Sequence, residues 1–108
     1  MTQIQGLDRH LIGLKGLGAD EIVSILDRAR YWEQYPVKVT NYLQGKFVAN
    51  MFFENSTRTR FSFEVAEKRL GAEVLNFTAA ASSVEKGESI YDTVRTLESM
   101  GIDAGVIR

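Results

Sequence analysis

Residues 52–64, FFENSTRTRFSFE, carry side chains suited to binding an anion. The segment predicts a buried strand that leads directly into a helix. A helix N-terminus offers free backbone N–H groups and a partial positive charge, which favour an anion. Arg58 and Arg60 add planar guanidinium groups that match phosphate or carboxylate oxygens. The pattern indicates a phosphate-binding turn, and a simple helix cap by Ser56 or Thr57, with both arginines in solvent, is an equally good explanation.

The elements around this turn are predicted to alternate between helices and strands. Apolar residues at helical spacing predict helices over residues 19–35, 57–70 and 89–100. Short apolar runs predict strands over residues 47–53, 72–77 and 104–107. The first strand has the composition of one buried on both faces, as in a parallel sheet. The pattern therefore indicates an α/β fold with a parallel sheet and flanking helices, in the order helix-strand-helix-strand-helix-strand.

Each predicted helix has apolar residues in a line along one side. In the second helix, Phe63, Ala66 and Leu70 form one line, and Phe61 and Val65 lie beside it. We expect Phe61 and Phe63 of this helix, together with Phe52 and Phe53 of the first strand, in the core rather than in a surface that stacks bases. In the third helix the inward-facing residues are predicted to be Ile90, Val94 and Leu97, and Gly101 is predicted to cap the helix with Ile102 as its apolar contact.

Three candidate binding features follow predicted strands, at the edge where open α/β sheets bind ligands. Residues 56–59 follow the first strand, a small-residue loop with Ser82 and Ser83 follows the second, and Arg108 follows the third. Lys86 in that loop could swing a cation over a substrate. Its local sequence is better explained as a solvated charge cluster before a helix.

Two charged pairings are predicted near the first of these features. Glu54 ends the first strand beside two arginines, and it could hold an arginine in place or pair with a neighbouring domain. Arg60 and Glu64 are four residues apart on one helix, which favours an ion pair within the helix over a contact with ligand.

The composition narrows the class of protein. The chain has 108 residues, a formal net charge of −1, one histidine and no cysteine. A net charge this close to zero gives no general attraction for nucleic acid. No apolar segment is long enough to span a bilayer. The absence of cysteine excludes thiolate metal sites and disulfides, and His10 cannot build a metal site alone. Because the sequence stops one residue after a predicted strand, we expect it to be the first part of a longer protein.

These motifs together resemble the carbamoyltransferase family over nearly the whole chain. Residues 56–60 (STRTR) are similar to the family's carbamoyl phosphate motif, and Phe63-Glu64 follows at the expected place. Residues 86–89 (KGES) and 91–95 (YDTVR) resemble the aspartate-specific members. Ornithine-specific members usually lack the Lys-Gly-Glu arrangement.

The resemblance implies an enzyme that transfers the carbamoyl group of carbamoyl phosphate to L-aspartate. The products would be N-carbamoyl-L-aspartate and phosphate, in an early step of pyrimidine biosynthesis. The residues that it implies for phosphate binding are Ser56, Thr57, Arg58 and Thr59. It also implies that Thr59 and Arg108 polarise the carbonyl oxygen, and it makes Arg58, Thr59 and Arg108 the catalytic group.

A loop from a neighbouring subunit is implied to complete the site. Lys86, with Ser82 or Ser83, would reach phosphate and aspartate from there. The resemblance implies a cytoplasmic homotrimer with active sites shared between subunits, and regulatory partner chains are compatible with it. No metal, cofactor, nucleic acid or membrane is implied.

The resemblance also sets the expected extent of the domain. Residues 1–108 would form the N-terminal portion of the carbamoyl phosphate-binding domain. The aspartate-binding domain and the family's catalytic histidine and glutamine would lie beyond Arg108, so we expect the 108-residue chain alone to be inactive. An ornithine carbamoyltransferase and a non-catalytic, carbamoyltransferase-like binding domain remain as alternatives.

Overall fold

The computed structural model describes residues 10–36, 40–78 and 89–108. The chain divides into two compact units, Met1–Val37 and Lys38–Arg108. The first unit contains helix α1 (Ala19–Gln34). The elements of the second unit are β1 (Phe47–Phe52), α2 (Thr57–Arg69), β2 (Glu73–Thr78), α3 (Ile90–Ser99) and β3 (Ala104–Ile107). Every predicted helix and strand is present, and each end lies within one residue of its predicted position.

Helix α1 begins with the acidic first turn that its sequence predicts. Asp20 and Glu21 lie there, where negative charge complements the helix dipole. Glu21 Oε2 also accepts a hydrogen bond from the backbone N–H of Gly18 at 3.1 Å. The helix ends at Gln34, two residues before Pro36, whose ring disfavours helical geometry in the residue before it. No helix of the described residues is both long and apolar enough to cross a membrane.

The three strands form one parallel sheet in the order β2-β1-β3, which confirms the predicted α/β fold. β1 is the central strand, and five of its six residues are buried. The most completely buried large side chain is that of Asn50, at 0% exposure. Asn50 lies opposite Asn76 of β2 and Val106 of β3. The centre of the sheet therefore contains an amide inside an otherwise apolar strand.

Helix α3 covers one face of the sheet with apolar side chains. Leu97 packs with Ala49 and Met51 of β1. The partly buried side chains around this cluster are Phe53, Phe77, Val94 and Ile102. Two of the three residues predicted to face inward, Val94 and Leu97, do so, whereas Ile90 is 44% exposed. The larger part of the apolar core lies on this face.

The ends of α3 are fixed by the caps that its sequence predicts. Ser89 Oγ accepts a hydrogen bond from the N–H of Asp92 at 3.0 Å. Gly101 adopts a φ of 87°, and the N–H of Ile102 donates to the carbonyl of Leu97 at 3.1 Å. This is the glycine-ended cap with an apolar contact between the flanking residues.

Helix α2 packs on the sheet through a side that carries Glu67, whereas its apolar side was predicted to be buried. Phe61, Phe63 and Val65 are 50%, 44% and 48% exposed, whereas Glu67 is only 6% exposed. Side chains alternate along a strand, so Asn50 points away from the apolar cluster and toward α2. Asn50 Nδ2 donates a hydrogen bond to Glu67 Oε1 at 2.7 Å. The prediction of a core position is confirmed for Phe52 and Phe53 but is wrong for Phe61 and Phe63, because the strand beneath the helix presents an amide that requires a polar partner.

Candidate functional site

The carboxyl ends of β1 and β3 lie side by side and are joined by backbone hydrogen bonds. The N–H of Phe53 donates to the carbonyl of Arg108 at 2.8 Å, and the N–H of Arg108 donates to the carbonyl of Met51 at 3.0 Å. These bonds place Arg108 next to the turn that connects β1 to α2. Ligands bind at this edge in open α/β sheets.

The side chain of Arg108 is oriented by two residues from the β1–α2 region. Its Nε pairs with Glu54 Oε1 at 2.5 Å, and its Nη1 donates to Thr59 Oγ1 at 2.8 Å. Glu54 therefore holds an arginine, which is one of the two roles predicted for it. Both side chains of the ion pair are about half exposed, so the pair adds little to stability and mainly fixes the direction of the guanidinium. A guanidinium has five N–H donors, and donors beyond these two contacts remain for a ligand.

The N-terminus of α2 lies beside this arginine and lacks a side-chain cap. Ser56 occupies the N-cap position, but its hydroxyl donates to Glu54 Oε1 at 3.1 Å instead of accepting from the helix. The explanation of the motif as a cap by Ser56 is therefore wrong. Residues 57–59 form the first turn, whose N–H groups have no acceptor within the helix. These groups and the helix dipole form a local centre of positive potential.

Arg58 lies in this first turn and is exposed to solvent. Within the described ranges, the ion pairs join Glu64 to Lys68, Arg95 to Glu98 and Glu54 to Arg108. Arg58 takes part in none of them, so its guanidinium is available to an anion at the helix N-terminus. A planar guanidinium can donate two parallel hydrogen bonds to phosphate.

The predicted ion pair between Arg60 and Glu64 is wrong. Glu64 Oε2 pairs with Lys68 Nζ at 3.0 Å, and the guanidinium of Arg60 lies over the ring of Phe61, 5.0 Å from its centroid. A glutamate that precedes a lysine by four residues has the more favourable orientation on a helix. The hydrogen bond from Lys68 is the largest influence that lowers the pKa of Glu64, and it outweighs partial desolvation.

The sequence interpretation missed a second group of polar residues, beneath α2. Asn50 and Asn76 face the helix from adjacent strands, and Glu64 and Glu67 face them from α2. One signal could have revealed this group. Asn50 is the one polar residue within the apolar run of β1, and a buried amide requires hydrogen-bond partners.

The remaining predicted site residues, Ser82, Ser83 and Lys86, lie outside the described residues. The structure therefore brings together Glu54, Ser56, Thr59 and Arg108, with Arg58 beside them. No group of three or more histidine, aspartate or glutamate side chains in the described part of the chain is arranged to hold a metal ion.

Comparison with known families gives the class of protein to which this site belongs. Residues 9–108 match the family described as aspartate/ornithine carbamoyltransferase, carbamoyl-P binding domain. The chain belongs to this family, as the resemblance of its motifs predicts.

Individual relatives are similar to the chain over most of its length. The aspartate carbamoyltransferase catalytic subunit of Streptomyces coelicolor is 55% identical over 105 residues, which are 94% of this chain and 32% of the relative. The chain thus spans about a third of the length of that protein.

Solved structures of the same family are similar to the fold described above. The catalytic subunit of M. jannaschii aspartate transcarbamoylase has a TM-score of 0.78 and 47% identity, over 94% of this chain and 34% of that one. The aspartate transcarbamoylase of Trypanosoma cruzi in complex with carbamoyl phosphate and aspartate has a TM-score of 0.68 and 41% identity, over 82% of this chain and 28% of that one.

Proposed function

We propose that the whole protein transfers the carbamoyl group of carbamoyl phosphate to L-aspartate. The products are N-carbamoyl-L-aspartate and phosphate, in pyrimidine biosynthesis. One observation carries the proposal: Arg108 and Thr59 meet, at 2.8 Å, beside the uncapped N-terminus of α2. A carbamoyl phosphate has a phosphate and a carbonyl group a short distance apart, and this arrangement offers donors to both.

The phosphate end of the substrate binds at the first turn of α2. The N–H groups of residues 57–59 and the helix dipole attract the anion, and Arg58 supplies a two-pronged donor. The hydroxyls of Ser56 and Thr57 add further hydrogen bonds. These contacts also stabilise the charge that grows on phosphate as it leaves.

The carbonyl end of the substrate lies toward Arg108 and Thr59. Attack by the amine of aspartate places negative charge on the carbonyl oxygen, and the Arg108 guanidinium and the Thr59 hydroxyl are donors for that charge. Donors oriented before the reaction stabilise such an oxyanion without a cost of reorganisation. Glu54 contributes by holding Arg108 in place before the substrate binds. The chemistry then requires two substrates in attack geometry and no covalent intermediate with the protein.

Two findings favour aspartate over ornithine as the acceptor. The relative described above, 55% identical to this chain, is named an aspartate carbamoyltransferase catalytic subunit. Residues 86–89, KGES, also resemble the aspartate-specific members of the family.

The proposed assembly and location rest on the resemblance to the family. Residues 1–108 supply the carbamoyl phosphate-binding part, and the protein acts as a cytoplasmic homotrimer whose active sites are shared between subunits. Lys86 and Ser82 or Ser83 reach the adjacent site, where Lys86 contacts phosphate and aspartate.

The proposal is tested by replacing Arg58 in the full-length protein. Arg58→Ala should lower kcat/KM for carbamoyl aspartate formation by about 10²–10³, the effect of removing one donor to a developing charge. Arg58→Lys should recover little, because a point charge does not replace the planar fork.

Arg69→Ala is the matched control, since Arg69 is exposed in the last turn of the same helix. It should retain normal kinetics. Near-normal turnover in Arg58→Ala would refute the assignment of Arg58, and carbamoylation of ornithine instead of aspartate would refute the proposed acceptor.

Sharing of the site is tested by complementation between two inactive variants. Full-length Lys86→Ala and Arg58→Ala chains, mixed and reassembled, should recover part of the activity, since some sites then receive both intact residues from different chains. Hybrids as inactive as the parents would show that Lys86 does not act across a subunit boundary.

A further inference from the structure

The polar contacts beneath α2 form a connected set of hydrogen bonds. Asn50 Nδ2 donates to Glu67 Oε1 at 2.7 Å and to Asn76 Oδ1 at 3.3 Å. Asn76 Nδ2 donates in turn to Glu64 Oε1 at 3.2 Å. Two adjacent strands are thus each joined to the same helix by an amide and a carboxyl group. Both N–H protons of Asn50 are used.

Two atoms of this set are left without a partner, and they belong to the same pair. Asn50 Oδ1 and Glu67 Oε2 are buried, and neither atom has a hydrogen-bond partner within the described residues. An unsatisfied buried polar atom is costly, and most buried polar atoms in proteins are paired. A proton on Glu67 Oε2 would let this oxygen donate to Asn50 Oδ1. Such a proton is the donor that an amide–acid pair needs for a second hydrogen bond beside the one from Asn50 Nδ2.

The surroundings of Glu67 favour that proton. Its side chain is buried, and the largest influence on its carboxyl group is this desolvation, which raises the pKa of Glu67 above the ordinary value. The negative charge of Glu64 on the same helix raises the pKa further, while the hydrogen bond from Asn50 lowers it. The groups that face Glu67 from β1 and β2 in this network are the neutral amides Asn50 and Asn76.

We propose that Glu67 is a positioning residue that is present as a neutral carboxylic acid, doubly hydrogen-bonded to Asn50, and that this pair fixes the position of α2 along the sheet. The proposed role in anion binding rests on the function proposed above. Thr59 precedes Glu67 by eight residues, or about 12 Å along a helix. A rigid helix transmits any displacement at Glu67 to its N-terminus, where Thr59 must meet Arg108 at 2.8 Å.

The protonation state is tested by a carboxyl titration that does not depend on catalysis. The side-chain carboxyl carbon of Glu67, assigned by its loss in Glu67→Gln, is followed by NMR in the full-length protein as the pH is raised. We expect its chemical shift to remain that of a neutral acid at pH values where exposed glutamates have ionised. Ionisation of Glu67 together with those glutamates would overturn the proposed neutral acid.

The positioning role is tested by two uncharged replacements, one that can form the hydrogen bonds and one that cannot. Glu67→Gln can both accept from and donate to Asn50, so it should bind carbamoyl phosphate as the wild type does. Glu67→Leu fills the site without hydrogen bonds, and it should weaken binding about tenfold or more while the protein remains folded. Glu98→Leu, at an exposed position of α3, controls for the loss of an acid and should bind normally.

A double-mutant cycle separates positioning from a general loss of stability. If Glu67 acts through the placement of Thr59, then Glu67→Leu should weaken binding much less in a Thr59→Ala background than in the wild type. Equal losses in both backgrounds, or equal weakening by Glu67→Gln and Glu67→Leu, would overturn the positioning role. Failure of the wild type to bind carbamoyl phosphate would refute the proposed function and with it this role, while the titration would still decide the protonation state.

Discussion

The two faces of β1 are packed in contrasting ways by the two helices that cover them. Toward α3, Ala49 and Met51 contact Leu97 in an apolar cluster. On the α2 side, Val48 and Phe52 are also buried, and Asn50 between them contacts Glu67 through a hydrogen bond. Consecutive residues of one strand thus take part in two kinds of contact, which have different distance and angle requirements.

This contrast separates stability from positional accuracy. Apolar contacts are not directional, and their free energy depends mainly on the area that is buried. Hydrogen bonds depend strongly on distance and angle, so they favour one register of the helix over its neighbours. The helix with the polar contact, α2, carries the residues that must meet Arg108, whereas α3 carries none of the described site residues. The apolar face is expected to hold the fold together, and the polar face to place the site.

The largest effect on stability is expected on the apolar face. Leu97→Ala should lower the free energy of unfolding by about 2–5 kcal/mol, through lost burial and a cavity. Carbamoyl phosphate affinity should change little under conditions where the variant is folded. Urea denaturation and calorimetry measure the two quantities. Met100→Ala, at a position of 69% exposure, should leave both nearly unchanged, and a loss of affinity in Leu97→Ala without a loss of stability would reverse the assignment of the two faces.

At the glycines that end the two helices, we expect an effect similar to that of Leu97→Ala for Gly71 and a smaller one for Gly101. Gly71 after α2 and Gly101 after α3 have φ values of 89° and 87°. Alanine at either position should cost about 1–2 kcal/mol of backbone strain. A Cβ atom at Gly71 would also lie 2.7 Å from the carbonyl oxygen of Thr40, whereas at Gly101 it would meet nothing within 4 Å. Gly71→Ala should therefore lower the free energy of unfolding by a further ~1–3 kcal/mol. Equal decreases for both variants in urea denaturation would show that the space around Gly71 is not restricted.

The smallest effect is expected in the pH dependence of stability, and its sign differs between two glutamates of α2. Glu67 has a raised pKa, so its contribution is fully present below the ordinary glutamate pKa and is lost as the pH rises through its folded-state pKa. Glu64 has a lowered pKa, so its contribution is present above the ordinary value and is lost as the pH falls through its folded-state pKa.

Glutamine variants isolate these two contributions. The stability of the wild type relative to Glu67→Gln should decrease as the pH rises from about 4.3, the ordinary glutamate pKa. The stability of the wild type relative to Glu64→Gln should instead increase as the pH rises toward that ordinary value from below, and should be constant above it. Thermal unfolding at a series of pH values measures both differences, and slopes of the same sign would contradict the contrast between the two carboxyl groups.

The secondary structure was predictable because its signals are local. The acidic start of α1, Pro36 after it, and the glycines after α2 and α3 mark the ends of helices without reference to distant residues. The length and composition of residues 47–53 were sufficient to indicate a strand buried on both faces. These features depend on backbone geometry and side-chain volume within a few positions.

The packing of α2 was not predictable from its own sequence. Its apolar residues indicated one side, and the structure buries the other because Asn50 and Asn76 lie opposite Glu67 and Glu64. Those contacts join residues that are 17 and 12 positions apart, and they depend on the strand register.

The candidate site was predictable in part. The position of Arg108 and the residues of the first turn of α2 follow from the rule that strand ends share one edge of the sheet. The partners did not follow, since Arg108 pairs with Glu54 and Arg60 does not pair with Glu64. Charged side chains have several acceptable partners in sequence, and only the three-dimensional placement selects among them.

The hydrogen bonds of Asn50 also limit how this protein can be recombined with its relatives. A chimaera that took α2 alone from another protein would separate Glu64 and Glu67 from the two amides that they contact. The smallest segment that retains all of these contacts extends from Asn50 to Asn76 and crosses three elements. Crossover points before residue 50 or after residue 76 should therefore yield folded hybrids more often than points between them.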